Sequence, residues 1–240
     1  MGKIKDALLW VALTKKCRYC GELLESERTL CEDCEKNLPI IQDPRCKYCG
    51  AGKKRCQCEK HRMRFDGITA PFYYEKGVLK GLHRLKFGEK SFMAEIFAED
   101  MARFVKQDFK EISFDFITFV PFSSFQTRNR NYNQSELLAE TLGKLLELPV
   151  KNVLIRLFDT QVQHKMSQYR RKGNVFGIYD VNENVNVSGK TILLVDDIKT
   201  TGTTFNECAK ILKIRGAEKV YCVSVALTGK REDEESEKAD

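Results

Sequence analysis

Residues 192–204 have the sequence ILLVDDIKTTGTT, and this stretch decides the fold. Its first four residues are apolar, which is typical of a strand buried on both faces of a parallel sheet. Asp196 and Asp197 follow, and a threonine-rich turn around Gly202 then leads into apolar residues at helical spacing from Phe205 to Leu212. A strand, a polar turn and a helix in this order predict one unit of an α/β sheet.

The polar residues of this stretch suit a sugar phosphate. Open α/β sheets bind ligands at the carboxyl ends of their strands, where the free N–H groups of a helix N-terminus favour phosphate. Asp196 and Asp197 can accept hydrogen bonds from vicinal ribose hydroxyls, and Gly202 permits close approach of the backbone. The hydroxyl donors for the same anion are Thr200, Thr201, Thr203 and Thr204. The alternative is a strand followed by an Asp N-cap and a threonine-rich first helical turn.

The same stretch resembles the 5-phosphoribosyl-1-pyrophosphate (PRPP) motif of type I phosphoribosyltransferases. The resemblance implies a five-stranded parallel sheet with a smaller hood. It also implies that Asp196 and Asp197 hold the ribose, that residues 200–204 hold the 5-phosphate, and that Mg2+ is carried on the substrate oxygens. In the hypoxanthine-guanine type, an acidic residue occupies the position of Thr200. A 6-oxopurine is therefore a less expected acceptor for this chain.

Further apolar patterns extend the α/β prediction along the chain. The predicted strands cover residues 67–74, 117–122, 152–158, 190–197 and 219–227. The predicted helices cover residues 78–86, 92–106, 138–146 and 205–212, the last ending at Gly216. We therefore expect a type I phosphoribosyltransferase-like α/β domain in residues 65–230. A cysteine-rich zinc-binding domain in residues 1–64 would precede it, and a disordered acidic tail in residues 231–240 would follow.

Two basic segments are candidates for the pyrophosphate. One directly precedes a predicted helix, and arginine side chains suit phosphate oxygens. The other, residues 160–174, occupies the place of the mobile loop that closes over the substrate in type I transferases. The residues predicted to act here are Arg128, Arg130, Lys165, Arg170 and Arg171. Exposed surface loops are the alternative for both segments, and Lys86 is a further candidate unless it extends from its helix to solvent.

The first 58 residues contain eight of the ten cysteines. CRYCG at 17–21 recurs as CKYCG at 46–50, and a second cysteine pair follows each copy, which predicts two tandem units. The predicted zinc ligands are Cys17, Cys20, Cys31 and Cys34 in one set and Cys46, Cys49, Cys56 and Cys58 in the other. Four thiolates close a zinc site, so its role would be structural. A cross-braced pairing and a single occupied site are the alternatives, and His61 is expected to be a bystander.

Basic residues surround the second cysteine set, and Tyr19 and Tyr48 lie inside the two CxxC turns. One interpretation is a nucleic-acid or protein docking module in which the tyrosines stack on bases. The alternative is that the cations offset thiolate charge while the tyrosines cover the small core.

Five blocks in a fixed order resemble the ComF family of competence-associated proteins over residues 15–228. The cysteine-rich segment comes first, and HRLKF, VPFSSFQTRNRNYNQSELLA, TQVQHKMSQYRRKGNVFGIY and ILLVDDIKTTGTT follow. The family commonly has RGFNQ where this chain has RNYNQ at 130–134, so the local turn can differ. The resemblance implies a cytoplasmic role in natural transformation, with single-stranded DNA and a helicase-like protein as partners.

The predicted function is a PRPP-binding, phosphoribosyltransferase-like protein of DNA uptake that transfers phosphoribosyl to an unidentified acceptor. The expected catalytic residues are Asp196, Asp197 and Arg130. The alternatives are a non-catalytic PRPP sensor and a single-stranded DNA-binding accessory protein. No apolar run reaches the roughly 20 residues that span a bilayer, and the short run DALLWVAL has no cleavage site, so no membrane partner and a cytoplasmic location are expected. The net charge of +7 permits an anionic partner without requiring one.

Overall fold

The fold is that of a computed structural model, which describes residues 15–24, 28–56, 58, 63–88, 90–122, 132–157 and 178–229. The predicted acidic tail and His61 lie outside the described residues. Among the described residues, no helix combines the length and the apolar composition that a bilayer crossing needs.

The main sheet contains five strands, and every recorded pairing between them is parallel. The strands are β1 (Gly67–Thr69), β2 (Phe72–Tyr73), β3 (Phe116–Phe119), β6 (Thr191–Lys199) and β7 (Lys219–Leu227). Their order is β1-β7-β6-β3, and β2 also pairs with β7. The predicted α/β class and parallel sheet are confirmed. The run predicted as one strand over 67–74 is two strands, because Pro71 between them has no N–H to donate.

The prediction that residues 152–158 form a strand of the main sheet is wrong. β4 (Leu154–Arg156) instead pairs antiparallel with β5 (Tyr179–Val181) in a separate two-stranded sheet. The residues just before this run contact β3 instead. The Ile117 N–H donates to the Pro149 carbonyl at 2.8 Å, and Ile117 forms an isolated parallel bridge with Val150. Ile155 is 40% exposed, so this apolar run is not buried on both faces as the sequence pattern suggested.

All four predicted helices are confirmed, each somewhat longer than its apolar pattern. The helices are α1 (Glu32–Asn37), which was not predicted, α2 (Lys76–Phe87), α3 (Lys90–Asp108), α4 (Gln134–Leu146) and α5 (Thr203–Ile214). The chain turns out of α5 at Gly216, whose φ of +99° is the left-handed conformation that glycine adopts without strain.

The sheet has a hydrophobic core on each face, and one cysteine set belongs to each core. Leu82, Phe97 and Leu138 of the long helices form one core, which also buries Cys17 and Cys34. α5, β4 and β5 cover the other face, where Cys49 is buried. The two cysteine-rich units therefore pack on opposite faces of the sheet. The domain boundary near residue 64 stays a prediction.

Close contacts fix the first cysteine-rich unit on α2 and α3. The Tyr19 hydroxyl donates to Asp100 on α3 at 2.7 Å, and the Arg84 guanidinium donates to the Tyr19 carbonyl at 3.0 Å. Gly77 lies so close to the unit that a Cβ there would come within 2.6 Å of the Cys34 sulfur. Only glycine fits at that position without displacing the cysteine.

Candidate functional site

Each cysteine set gathers into a tetrad with the dimensions of a zinc site. The four sulfur atoms of each set lie within 4.8 Å of one another. The sulfurs of Cys20 and Cys31 are 3.6 Å apart, and those of Cys46 and Cys58 are 3.5 Å apart. Four thiolates at zinc–sulfur bonds of about 2.3 Å would have sulfurs about 3.8 Å apart, so the tetrads fit the ion. The sequential pairing is confirmed, and the cross-braced alternative is wrong.

One cysteine in each tetrad has a pKa below the ordinary value of a thiol. Burial opposes ionisation of Cys17, but backbone N–H groups near Cys31, Cys20 and Tyr19 outweigh it and lower the pKa of Cys17 to about 7. Backbone N–H groups likewise overcome burial at Cys46 and lower its pKa to about 7. A thiolate present near neutral pH gives an incoming metal ion its first ligand.

The tyrosine and basic residues around the tetrads divide into buried and exposed groups. Tyr19 is only 6% exposed and covers the core, so its predicted stacking on bases is wrong. The Arg45 side chain is 6% exposed and bonded to Asp108, which makes it unavailable to a nucleic acid. Lys53 and Lys54 are at the surface, where they line a cavity of about 590 Å³.

The aspartate pair lies at the carboxyl end of β6, held from two helices. The Ser135 hydroxyl at the start of α4 donates to Asp196 Oδ1 at 2.8 Å, and the Asp197 N–H donates to the same oxygen at 2.9 Å. Lys86 near the end of α2 forms an ion pair with Asp197 Oδ2 at 3.0 Å. Lys86 therefore does not extend freely to solvent but lies beside the aspartate pair. Its predicted role toward the phosphates stays a prediction.

The surroundings of Asp196 oppose its ionisation. Burial and the negative charge of Asp197 raise the pKa of Asp196 to about 7, although the hydrogen bond from Ser135 acts in the opposite direction. Two adjacent carboxylates in a partly dry site cannot both ionise as easily as they would in water. Asp196 is therefore poised to gain or lose a proton near neutral pH.

The threonine-rich turn forms the N-terminus of α5. Gly202 caps the helix with a φ of +85°, and the hydroxyls of Thr201 and Thr203 lie 2.8 Å apart. The N-cap is Gly202, so the alternative of an Asp N-cap is wrong. The threonines at 200, 201, 203 and 204 are exposed. The loop therefore has the helix N-terminus and hydroxyl donors that an anion requires.

The start of α4 connects three parts of the site, a connection that the sequence analysis missed. Asn133 caps α4 by accepting from the Ser135 N–H at 3.0 Å and donates to the Val120 carbonyl after β3, also at 3.0 Å. The Tyr132 hydroxyl donates to the Leu85 carbonyl on α2. The sequence NYNQS carried the signal, since an Asn N-cap places the residue two positions later in the first turn.

Only some of the predicted site residues belong to the part of the chain that the structure describes. Asp196, Asp197 and residues 200–204 are brought to one edge of the sheet. The other predicted ligands lie outside the described residues and stay predictions: Arg128, Arg130, Lys165, Arg170 and Arg171.

Comparison with protein families matches both parts of the chain. Residues 133–240 match the phosphoribosyl transferase domain, and residues 8–62 match the double zinc ribbon domain. Competence protein F of Haemophilus influenzae is 27% identical over 222 residues, covering 88% of this chain and 96% of that protein. The ComF-family resemblance is confirmed. Both cysteine tetrads lie within the residues that match the double zinc ribbon domain, which supports structural zinc.

Other relatives match a similar share of this chain. Competence protein ComFC of Streptococcus pneumoniae is 26% identical and covers 88% of this chain and 99% of that protein. DNA utilization protein YhgH of Escherichia coli K12 is also 26% identical, covering 88% of this chain and 90% of that protein. Among solved structures, the glutamine PRPP amidotransferase of B. subtilis overlaps 55% of this chain with 22% identity and a TM-score of 0.38. This chain spans about a quarter of that longer protein, 26% of its length.

Proposed function

We propose that the protein binds PRPP at the carboxyl end of β6. The observation that carries this proposal is that the Asp196–Asp197 pair and the threonine-rich N-terminus of α5 follow each other at the same end of β6. Ribose hydroxyls would donate to the two carboxylates, and the 5-phosphate would accept hydrogen bonds from residues 200–204. The match to the phosphoribosyl transferase domain over residues 133–240 supports this assignment.

The reaction that this site favours is transfer of phosphoribosyl from PRPP to an acceptor. The bond between ribose C1 and the pyrophosphate oxygen would break, and the acceptor would form a new bond to C1. Asp196 and Asp197 would hold the ribose as positive charge develops on it. The pyrophosphate would leave toward Arg128, Arg130 and the basic segment 160–174. The oxygen-rich surroundings suit Mg2+, which when bound would neutralise the pyrophosphate.

The cellular role proposed is DNA uptake in the cytoplasm. Two relatives are named competence proteins and a third is named a DNA utilization protein. Single-stranded DNA and a helicase-like protein are the partners that the ComF resemblance implies. Lys53 and Lys54 on the second ribbon are exposed and could meet a phosphate backbone.

Calorimetric titration with PRPP and Mg2+ tests the binding site directly. We expect saturable binding by the unmodified protein and its loss in the double variant Asp196→Asn, Asp197→Asn. Asp115→Asn is the matched control, because Asp115 accepts from the Thr191 N–H at the amino end of the same strand. Absence of PRPP binding by the unmodified protein would refute the proposal.

Release of pyrophosphate then separates an enzyme from a sensor. The protein is incubated with PRPP, Mg2+ and either free nucleobases or single-stranded DNA, and pyrophosphate is measured over time. Turnover that the Asp196→Asn, Asp197→Asn variant lacks would support transfer to that acceptor class. Saturable PRPP binding with no release under any condition would favour the sensor.

A further inference from the structure

Residues 200–204 are called the anion-binding loop, and the unit with Cys46, Cys49, Cys56 and Cys58 is called the second zinc ribbon. Lys199 lies between the two. It is the last residue of β6, and only 8% of it is exposed. A Cβ built on Gly202 would lie 3.1 Å from Lys199 Cε and 4.0 Å from its Nζ. The lysine side chain therefore contacts the loop at the residue that caps α5.

The ammonium of Lys199 has no carboxylate partner in the part of the chain that the structure describes. None of the ion pairs found there includes it. Burial lowers the pKa of Lys199, and Cys49 and Cys58 of the second tetrad oppose that effect where they are charged. A buried cation without a carboxylate needs another source of negative charge.

One cavity joins these groups. It has a volume of about 380 Å³, and its wall includes Cys49 and Cys58 of the ribbon and Thr200 and Thr201 of the loop. Lys199 also contributes to the wall, between the two sets. The second ribbon is therefore a direct neighbour of the anion-binding loop, whereas the first ribbon packs on the opposite face of the sheet.

The position of Lys199 is unfavourable unless anions surround it. The N-terminus of α5 carries a partial positive charge, which repels an ammonium. A zinc ion with four thiolates carries a formal charge of about −2 and would attract it. A phosphate on the loop would repel that thiolate cluster, and a cation between the two anions would reduce the repulsion.

We propose that Lys199 couples the second zinc ribbon to the anion-binding loop: its ammonium, held in the cavity between Cys49 and Cys58 of the ribbon and Thr200 and Thr201 of the loop, stabilises the 5-phosphate of the bound sugar. Lys199 acts as a positioning residue, behind the hydrogen-bond donors of residues 200–204. The inference rests on the proposed PRPP site and adds a residue and a role for the ribbon that the site itself does not require.

Two ligands that represent the two ends of PRPP provide the test. We would measure the Kd of ribose 5-phosphate and the Kd of pyrophosphate by calorimetry for the unmodified protein, Lys199→Met and Lys199→Arg. The methionine variant should weaken ribose 5-phosphate binding by about tenfold or more, since a partly buried charge interaction of about 1.4 kcal/mol or more is lost. Its pyrophosphate binding should be unchanged, and arginine should restore most of the affinity for ribose 5-phosphate.

Two controls exclude a general structural effect. Lys190→Met removes a cation at the amino end of β6, where Lys190 pairs with Asp115 at 2.8 Å, and should leave both affinities unchanged. Cys58→Ser in the second ribbon should weaken ribose 5-phosphate binding and leave pyrophosphate binding unchanged.

The outcomes separate the inference from the proposed function. Unchanged ribose 5-phosphate binding in Lys199→Met, with normal PRPP binding by the unmodified protein, would overturn the inference alone. Equal losses for both ligands that arginine does not restore would also overturn it, because they indicate a structural role. An unchanged affinity in Cys58→Ser would overturn the link to the ribbon. Failure of the unmodified protein to bind PRPP at all would overturn the proposed function, and the inference with it.

Discussion

Replacing Ser135 by alanine should raise the pH at which the protein gains affinity for PRPP. The Ser135 hydroxyl donates to Asp196 Oδ1 at 2.8 Å and lowers a carboxyl pKa that burial and Asp197 have raised to about 7. A carboxylate accepts ribose hydroxyls better than a carboxylic acid does, so PRPP should favour the ionised Asp196. Losing the donor makes that ionised form harder to reach.

The size of the effect follows from the hydrogen bond. A bond to a charged group contributes about 1.5–3 kcal/mol, which corresponds to roughly one or two pKa units. The Asp197 N–H still donates to the same oxygen at 2.9 Å, so we expect the lower end, about one unit. At pH 7 the ionised fraction of Asp196 would then fall from about one half to about one tenth, and PRPP affinity would fall about fivefold.

The assay is calorimetric titration of PRPP with Mg2+ at several pH values between 6 and 9. The unmodified protein should gain affinity as the pH rises through 7, and Ser135→Ala should show the same gain about one pH unit higher. Thr141→Ala is the control, since the Thr141 hydroxyl on the same helix donates to the Leu137 carbonyl and does not contact the aspartates. A uniform loss of affinity at every pH would refute the reasoning.

Three further substitutions test the loop and the contacts of the two ribbons. Gly202→Ala should weaken ribose 5-phosphate binding by about tenfold, because a φ of +85° costs an alanine roughly 1–2 kcal/mol and the turn would relax. Gly77→Ala should lower the melting temperature and reduce the zinc content from two ions toward one per chain, because its Cβ would lie 2.6 Å from the Cys34 sulfur. Arg45→Met should reduce the free energy of unfolding in urea by about 2–3 kcal/mol, because Asp108 would lose its partner.

Two control variants serve these three substitutions. Gly189→Ala is the control for both glycines: its φ is +68° and nothing lies near the new Cβ, so it should lower the melting temperature slightly, keep both zinc ions and leave ribose 5-phosphate binding unchanged. Lys110→Met breaks an exposed pair with Glu111 and should change the free energy of unfolding by less than about 0.5 kcal/mol. If Gly77→Ala retained two zinc ions, or if Arg45→Met matched Lys110→Met, the packing described for that ribbon would be incorrect.

Local patterns predicted most of the fold. The run ILLVDD predicted β6, the spacing of apolar residues predicted α2 to α5, and the CxxC repeats predicted two tetrads. These predictions succeeded because backbone periodicity and the short reach of a CxxC turn depend on neighbouring residues. The prediction for residues 152–158 was wrong because an apolar run indicates that a segment is hydrophobic but does not indicate which sheet it joins.

The partners of the candidate site were hidden for a related reason. Ser135 meets Asp196 from 61 residues away in the chain, and Lys86 meets Asp197 from α2, which precedes β3 in the chain. Neither residue type is unusual in its own segment. Only the packing of α2 and α4 against the end of β6 makes them part of the site.

The sequence by itself determined the strand, the threonine-rich turn and the helix of residues 191–214 and the eight cysteines that form two tetrads, because these depend on residues close together in the chain. The tertiary structure decided that the first ribbon packs on one face of the sheet and the second beside the loop. It also decided which charges meet: Arg45 is buried against Asp108, while Lys199 has no carboxylate partner among the described residues. Contacts of this kind depend on how distant segments pack, which the spacing of residues along the chain does not indicate.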